Sequence, residues 1–283
     1  MFRNFLKTAW RNIIRHKGNT AINVIGLALG MTCCLFIFLW VRDEKKIDNF
    51  HANGENIFTA YQTVRANGKT DGTYQTPVKV VDGHNYMLLE GAKEAIPEIK
   101  AEAFYATGYE LPWGHLETIQ VGEKKLKLEG SRAGKDFFKI FSYPLLQGNA
   151  ESALKNMNGI AISHNMANIY FGSPENAMGK SVRYENRLNF IVTAVFENLT
   201  HESSLHFDFL LNWEAQKQLL EWSSPETRAY ILLAKNADAG AVEKKLNQFL
   251  AARIDNHPEF EAKTGLQRFG DQYLHNIFIN GKP

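Results

Sequence analysis

Three short stretches of the sequence carry residue types that do chemistry, and each fails on spacing. Gly179-Lys180-Ser181 ends like a phosphate-binding loop. Such a loop needs a glycine five positions before Gly179 so that backbone amides can surround the phosphates. Pro174 stands there, without an amide to give, and Gly172 lies two residues too early. The stretch reads as a turn entering a strand. His201-Glu202-Ser203-Ser204-Leu205-His206 resembles a zinc-protease helix but is one residue too long to set both imidazoles on one helical face. The alternation of His206-Phe207-Asp208-Phe209 suits a strand, so these histidines read as surface residues. Asn198-Leu199-Thr200 is a glycosylation sequon, a triplet common by chance. No G-x-S-x-G elbow occurs, and the two cysteines, Cys33 and Cys34, are adjacent. The residues support no catalytic, metal-binding or cofactor assignment.

The elements that would position any site are dominated by one stretch. Thr20–Val41 runs for 22 residues without a charge. At 1.5 Å per helical residue this is roughly 33 Å, enough to cross a bilayer core of about 30 Å. Both cysteines lie inside it, so no disulfide supports the rest of the chain. Gly30-Met31-Thr32 before Cys33 lacks the pattern of a lipoprotein signal. Within the span, Gly26-x-x-x-Gly30 permits close approach of another helix.

Before the span, Phe2, Phe5, Leu6, Ala9, Trp10, Ile13 and Ile14 recur at helical spacing, opposite Arg3, Lys7, Arg11 and Arg15. This predicts an amphipathic helix over residues 1–17 lying in the headgroup region, with Trp10 at the interface. Gly18-Asn19 is expected to break it. A cleaved signal peptide is the alternative, but the apolar stretch is too long and no small-x-small site follows it.

The first 19 residues carry five basic residues and no acid; the remainder holds 27 basic and 30 acidic residues. The positive-inside rule therefore puts the N-terminus in the cytoplasm and the long remainder outside, with Trp40 as the outer anchor. That remainder is near neutrality, which argues against nucleic acid as a partner. Its roughly 240 residues suffice for one large domain or two subdomains.

Beyond Phe50 short strands and helices interleave without the regular period of a doubly wound sheet, which predicts an α+β domain over residues 42–283. Strands are expected at Ile57–Arg65, Ala101–Tyr109, Ile160–Ile162, Leu205–Leu211 and Ala229–Ala234. Hairpins are expected around Gly122-Glu123 and Glu185-Asn186. Thr76-Pro77 is expected to start a helix with Val81, Leu88, Leu89, Ala92 and Ile96 on its face. Ser163 should cap a helix closed by Gly172, and Asp238 should cap one carrying Val242, Leu246 and Leu250.

Ordered blocks resemble one family. They are Leu6–Asn12, Asn23–Gly30, Asp48-Asn49-Phe50-His51 with Asn56-Ile57-Phe58, Phe137–Phe141 with Gly148, Ile162-Ser163 with Phe171-Gly172 and Gly179-Lys180, Val192–Val195, and Ser203–Asp208. Together they resemble FtsX/MacB-type ABC transporter permeases, most of all the large MacB-like permeases of Bacteroidetes-type bacteria. The resemblance implies a first transmembrane helix, 20–41, followed by a MacB-like periplasmic core domain, in a bacterial inner membrane. It implies a non-enzymatic permease component acting in export or mechanotransmission with a separate ABC ATPase subunit, alongside other permease helices or a second permease copy. The family continues with three more spans where this chain stops, so an N-terminal fragment or truncated product is expected, one that neither binds nor hydrolyses ATP. Asp43, Glu44, Asp48 and Phe50 then mark the junction between span and domain, a lever for passing motion outward. The alternative is a single-span anchored sensor or binding module.

Overall fold

The computed structural model describes residues 7, 10, 11, 14–66, 69–73, 78–81, 84–87, 89–107, 116–215, 227–253, 260–275, 277 and 282. The chain divides into two compact units, Met1–Lys46 and Ile47–Pro283.

The first unit is built on one helix, α1 (Lys17–Glu44), long and apolar enough to cross a membrane, with none of its residues buried. Of the expected amphipathic helix, Lys7, Trp10, Arg11, Ile14 and Arg15 are helical; Phe2, Phe5, Leu6, Ala9 and Ile13 lie outside the described residues. The expected break at Gly18-Asn19 is not there. The turn falls at His16, and both residues are inside α1. A single glycine costs a helix only about 1 kcal/mol, whereas a break beside an apolar span leaves backbone groups without partners. Likewise α1 runs three residues past Val41, through Arg42, Asp43 and Glu44. Inside it the Thr32 hydroxyl donates to the Ala28 carbonyl at 2.8 Å, as a polar side chain in an apolar helix must.

The second unit is α+β, as expected. After a 3₁₀ turn at Gly54–Asn56 come β1 (Ile57–Ala66), β2 (Lys69–Thr73), β3 (Val78–Val81), β4 (His84–Met87), α2 (Ala92–Ala95), β5 (Ile99–Thr107), β6 (Leu116–Val121) and β7 (Lys124–Ala133). Then follow α3 (Phe137–Ile140), β8 (Leu145–Gln147), β9 (Gly159–Ser163), α4 (His164–Phe171), α5 (Pro174–Ala177), β10 (Ser181–Tyr184) and β11 (Leu188–Phe196). β12 (Phe209–Asn212), β13 (Thr227–Leu233), α6 (Ala239–Ala251), β14 (Phe260–Arg268) and α7 (Phe269–Gln272) complete it.

β7 joins two halves of one sheet. On one side the order is β7-β5-β13-β1-β14, all antiparallel, with β2 extending β1. On the other, β6, β10, β11, β9 and β12 follow, and β12 pairs back onto β7, Phe209 opposite Gly130. Six strands thus close into a ring. Gly130 is required where they meet: a Cβ there would overlap the Phe209 ring and the Glu117 carboxylate. The free edge of β14 is covered from α6. Asn247 exchanges two hydrogen bonds with the Thr264 backbone (2.9 and 2.7 Å), and Glu243 accepts from the Leu266 amide at 2.7 Å.

Two expectations need correction. Among the described residues, no helix runs through Val81. Thr76 and Pro77 are outside the described residues, Val78–Val81 pairs with His84–Met87 as a hairpin, and only Ala92–Ala95 is helical. Val78, Val80 and Val81 favour the pleated sheet over a helix. The strand expected at Leu205–Leu211 begins only at Phe209; just before it, the Asp208 amide donates to Glu129 O and its carbonyl accepts from Ser163 N.

Candidate functional site

Asp48 begins the junction segment, four residues after α1 ends at Glu44. It has φ +61°, a left-handed conformation that Asp tolerates better than most residues. This turn buries its carboxylate. The Asp48 amide donates to Glu202 O at 2.8 Å, and its Oδ1 accepts from Ser204 N at 2.9 Å. Burial raises the carboxyl pKa despite the bonds from Ser204.

His51 forms the second tie. Its Nδ1 accepts from Ser142 N at 3.1 Å, while Ser142 Oγ accepts from Ala52 N at 3.0 Å. The two segments thus hold each other reciprocally, backbone to side chain in both directions. The imidazole is 4% exposed. Phe50, Phe141, Tyr143 and Phe269 surround it, with ring centroids 4.1, 5.1, 5.2 and 5.7 Å away. Burial lowers its pKa to about 4, so the ring is neutral at physiological pH.

Tyr143 supplies the third tie. Its hydroxyl lies 2.9 Å from Ser203 Oγ, which itself donates to Leu205 O at 2.8 Å. Burial pushes the Tyr143 phenol well above its ordinary range. Residues 48–52, 141–143 and 202–205 therefore meet in one knot, with Asp48, His51, Tyr143 and Ser203 buried in it. Around it lies an aromatic cluster that includes Phe137, Phe207 and Tyr230. The chemistry is that of a clasp. Asp48 Oδ1, His51 Nδ1 and Ser142 Oγ are each taken by a backbone amide, and Tyr143 by the Ser203 hydroxyl.

A second buried polar group lies in the six-stranded ring. Arg132 on β7 pairs with Glu117 on β6, and its Nη2 donates to the Tyr184 hydroxyl on β10 at 2.7 Å. That hydroxyl donates to Glu117 Oε1 at 2.9 Å. Three strands are thereby tied through one ionic triad.

Of the junction residues named from sequence, Asp48 lies in the knot and Phe50 packs on its rim. Asp43 and Glu44 end α1 in the first unit. Gly26 and Gly30 lie on α1 with open space where a Cβ would be, and Trp10 and Trp40 are exposed. Sequence reasoning missed His51, Ser142, Tyr143, Ser203 and Ser204 as a set, although several stand within or beside the blocks that carry the family resemblance. Gly179-Lys180-Ser181 is a turn into β10. The Gly179 and Lys180 amides donate to Val192 O and Ala177 O, so they cannot cradle an anion. His201 and His206 are exposed, while Ser203 between them turns inward. Among the described residues no three His, Cys, Asp or Glu side chains converge as metal ligands.

The sequence matches the MacB-like periplasmic core domain over residues 20–249. Among curated proteins none matches this chain. Among solved structures, a domain assigned to a permease protein from Porphyromonas gingivalis is similar, with 18% identity and a TM-score of 0.59 over 77% of this chain and 92% of that one. The periplasmic region of MacB from Actinobacillus actinomycetemcomitans shares 14% identity, with a TM-score of 0.49 over 80% and 95%. The extracellular domain of the noncanonic ABC-type transporter YknZ from Gram-positive bacteria shares 12%, with 0.45 over 71% and 98%. With four-fifths of its residues matched, and with an apolar helix ahead of an α+β domain of this fold, the chain belongs to the MacB-like periplasmic core domain family of FtsX/MacB-type permeases.

Proposed function

We propose that this chain is a permease component of an FtsX/MacB-type ABC transporter, passing motion of a separate cytoplasmic ATPase to an extracytoplasmic domain in export or mechanotransmission. It performs no catalysis itself. Residues 1–19 form a cytoplasmic foot, 20–41 the span and 42–283 the outer domain. The basic residues before the span support a cytoplasmic N-terminus in a bacterial inner membrane.

The observation that carries this reading is the knot. A segment that starts four residues after an apolar helix is clasped by two regions about 90 and 155 residues further on. Coupling between distant sites needs a physically continuous element. A flexible linker would dissipate a displacement of the helix; a segment tied at Asp48, His51 and Ala52 carries it into the aromatic core. Gly26 and Gly30 are the face on which another permease helix or a second copy fits, and Trp10 and Trp40 anchor the ends.

The test is co-purification of the permease from its native membrane with an ABC ATPase. The expected result is a stoichiometric complex whose ATPase activity changes when Asp48→Ala loosens the clasp. A permease that captures no ATPase contradicts the reading and favours an anchored sensor.

A further inference from the structure

The clasp contains one group that a single proton can turn from partner to opponent. His51 Nδ1 accepts the Ser142 N–H, so the neutral ring carries its proton on Nε2, which has no hydrogen-bond partner among the described residues. Protonation can occur only at Nδ1. There it replaces the lone pair with an N–H aimed at the Ser142 N–H, donor against donor. The same Ser142 holds the Ala52 amide through its Oγ, so displacing this residue releases both halves of the reciprocal tie.

The surroundings offer an imidazolium little compensation. Its neighbours are the rings of Phe50 on its own segment, Phe141 and Tyr143 after α3, and Phe269 on α7. The titratable groups nearby are the Tyr143 phenol, engaged with Ser203, the Tyr230 phenol on β13 behind Phe141 and Phe269, and Asp48 upstream. None contributes to the lowered pKa of His51, which comes from burial alone.

We propose that His51 is a proton-operated latch: acidification of the compartment facing the outer domain opens the tie between residues 50–52 and 141–143 while the rest of the domain stays folded. Its regulatory meaning, uncoupling the domain from its span in acid, rests on the coupling reading above; the opening itself does not.

The test is hydrogen exchange on the full chain in detergent micelles, followed by mass spectrometry at pH 7.5 and pH 4, with labelling times scaled for intrinsic exchange. Peptides covering 48–54 and 139–145 are expected to lose protection by about 10-fold or more at pH 4, while peptides from β9 and β11 keep theirs. His51→Asn places a non-titrating acceptor near the Nδ1 position and is expected to abolish the pH dependence. Unchanged protection of the wild-type tie at pH 4 overturns the latch. So does an equal loss in His51→Asn, or loosening of the ring strands together with the tie. If His51→Asn does not fold, the wild-type contrast between tie and ring peptides decides alone. Because no ATPase is present, failure of the latch leaves the coupling reading standing, and the reverse also holds.

Discussion

The domain contains two buried polar knots, and they are built in opposite ways. In the ring, Glu117, Arg132 and Tyr184 lie on β6, β7 and β10, three strands already bonded to one another. The triad adds an ionic lock to a sheet that is continuous without it. At the junction, Asp48, His51 and Ala52 reach Ser204 and Ser142 across gaps that no strand pairing spans. There hydrogen bonds and ring packing make the connection together, and Asp48 brings a buried carboxylate. The ring is held by charge and register. The junction is a joint held by a few bonds, one of which a proton can reverse.

Breaking the ionic triad should have the largest effect. Glu117→Ala strands the Arg132 guanidinium in the ring and should cost about 3–5 kcal/mol, read as a lowered denaturation midpoint. Replacing both partners by apolar residues, Glu117→Leu with Arg132→Met, should recover most of that loss. A mild effect of Glu117→Ala would show that water reaches the triad and would weaken the contrast.

Acid should come next, and it should act on the joint. The folded His51 pKa lies near 4 against an ordinary 6.5. Between those values the unfolded chain binds more protons at this residue than the folded one. Stability is therefore fully present above about 6.5 and is lost as pH falls towards 4, by on the order of 3 kcal/mol. Asp48 works with the opposite sign. Its raised pKa means the folded state holds its proton more tightly, so stability is lost as pH rises from the ordinary value through the raised one. The two are separated by comparing pH–stability curves of wild type and His51→Asn.

Two smaller changes sharpen the picture of the joint. Asp48→Ala leaves the Ser204 amide unpaired and places alanine at positive φ, and should cost about 2 kcal/mol in chemical unfolding. Tyr143→Phe removes one neutral hydrogen bond, leaves Ser203 donating to Leu205, and should cost about 1 kcal/mol. Effects of equal size at both positions would mean the charge of Asp48 contributes little.

Much of the local structure was legible because it depends on one or two adjacent residues. Ser163 Oγ accepts from Met166 N, Gly172 closes α4 in the left-handed region, and Asp238 caps α6 through Gly240 and Ala241. Glu185 and Asn186 both take positive φ in the three-residue loop that joins Tyr184 to its partner Leu188. What could not be read depends on chain segments far apart. β12 lies beside β7 in parallel, although some 80 residues separate Gly130 from Phe209, and neither strand carries a local mark of the pairing. The residues of the joint were visible as separate blocks, but their meeting is a property of the folded core. At Gly18-Asn19 local propensity pointed the wrong way because an apolar span overrode it, and the helix expected to run through Val81 met a hairpin instead.

The central claim is that the joint carries motion between span and domain. It is tested most directly by measuring ATP-driven displacement in the assembled transporter. Spin labels on the outer domains of two permease copies in lipid nanodiscs would report their distance with and without ATP. Three proteins should be compared: wild type, the joint variant Asp48→Ala with Tyr143→Phe, and the ring double replacement Glu117→Leu with Arg132→Met. The expected result is an ATP-dependent distance change in wild type and in the ring variant, and its loss in the joint variant while the ATPase stays bound. An undiminished change in the joint variant would contradict the claim.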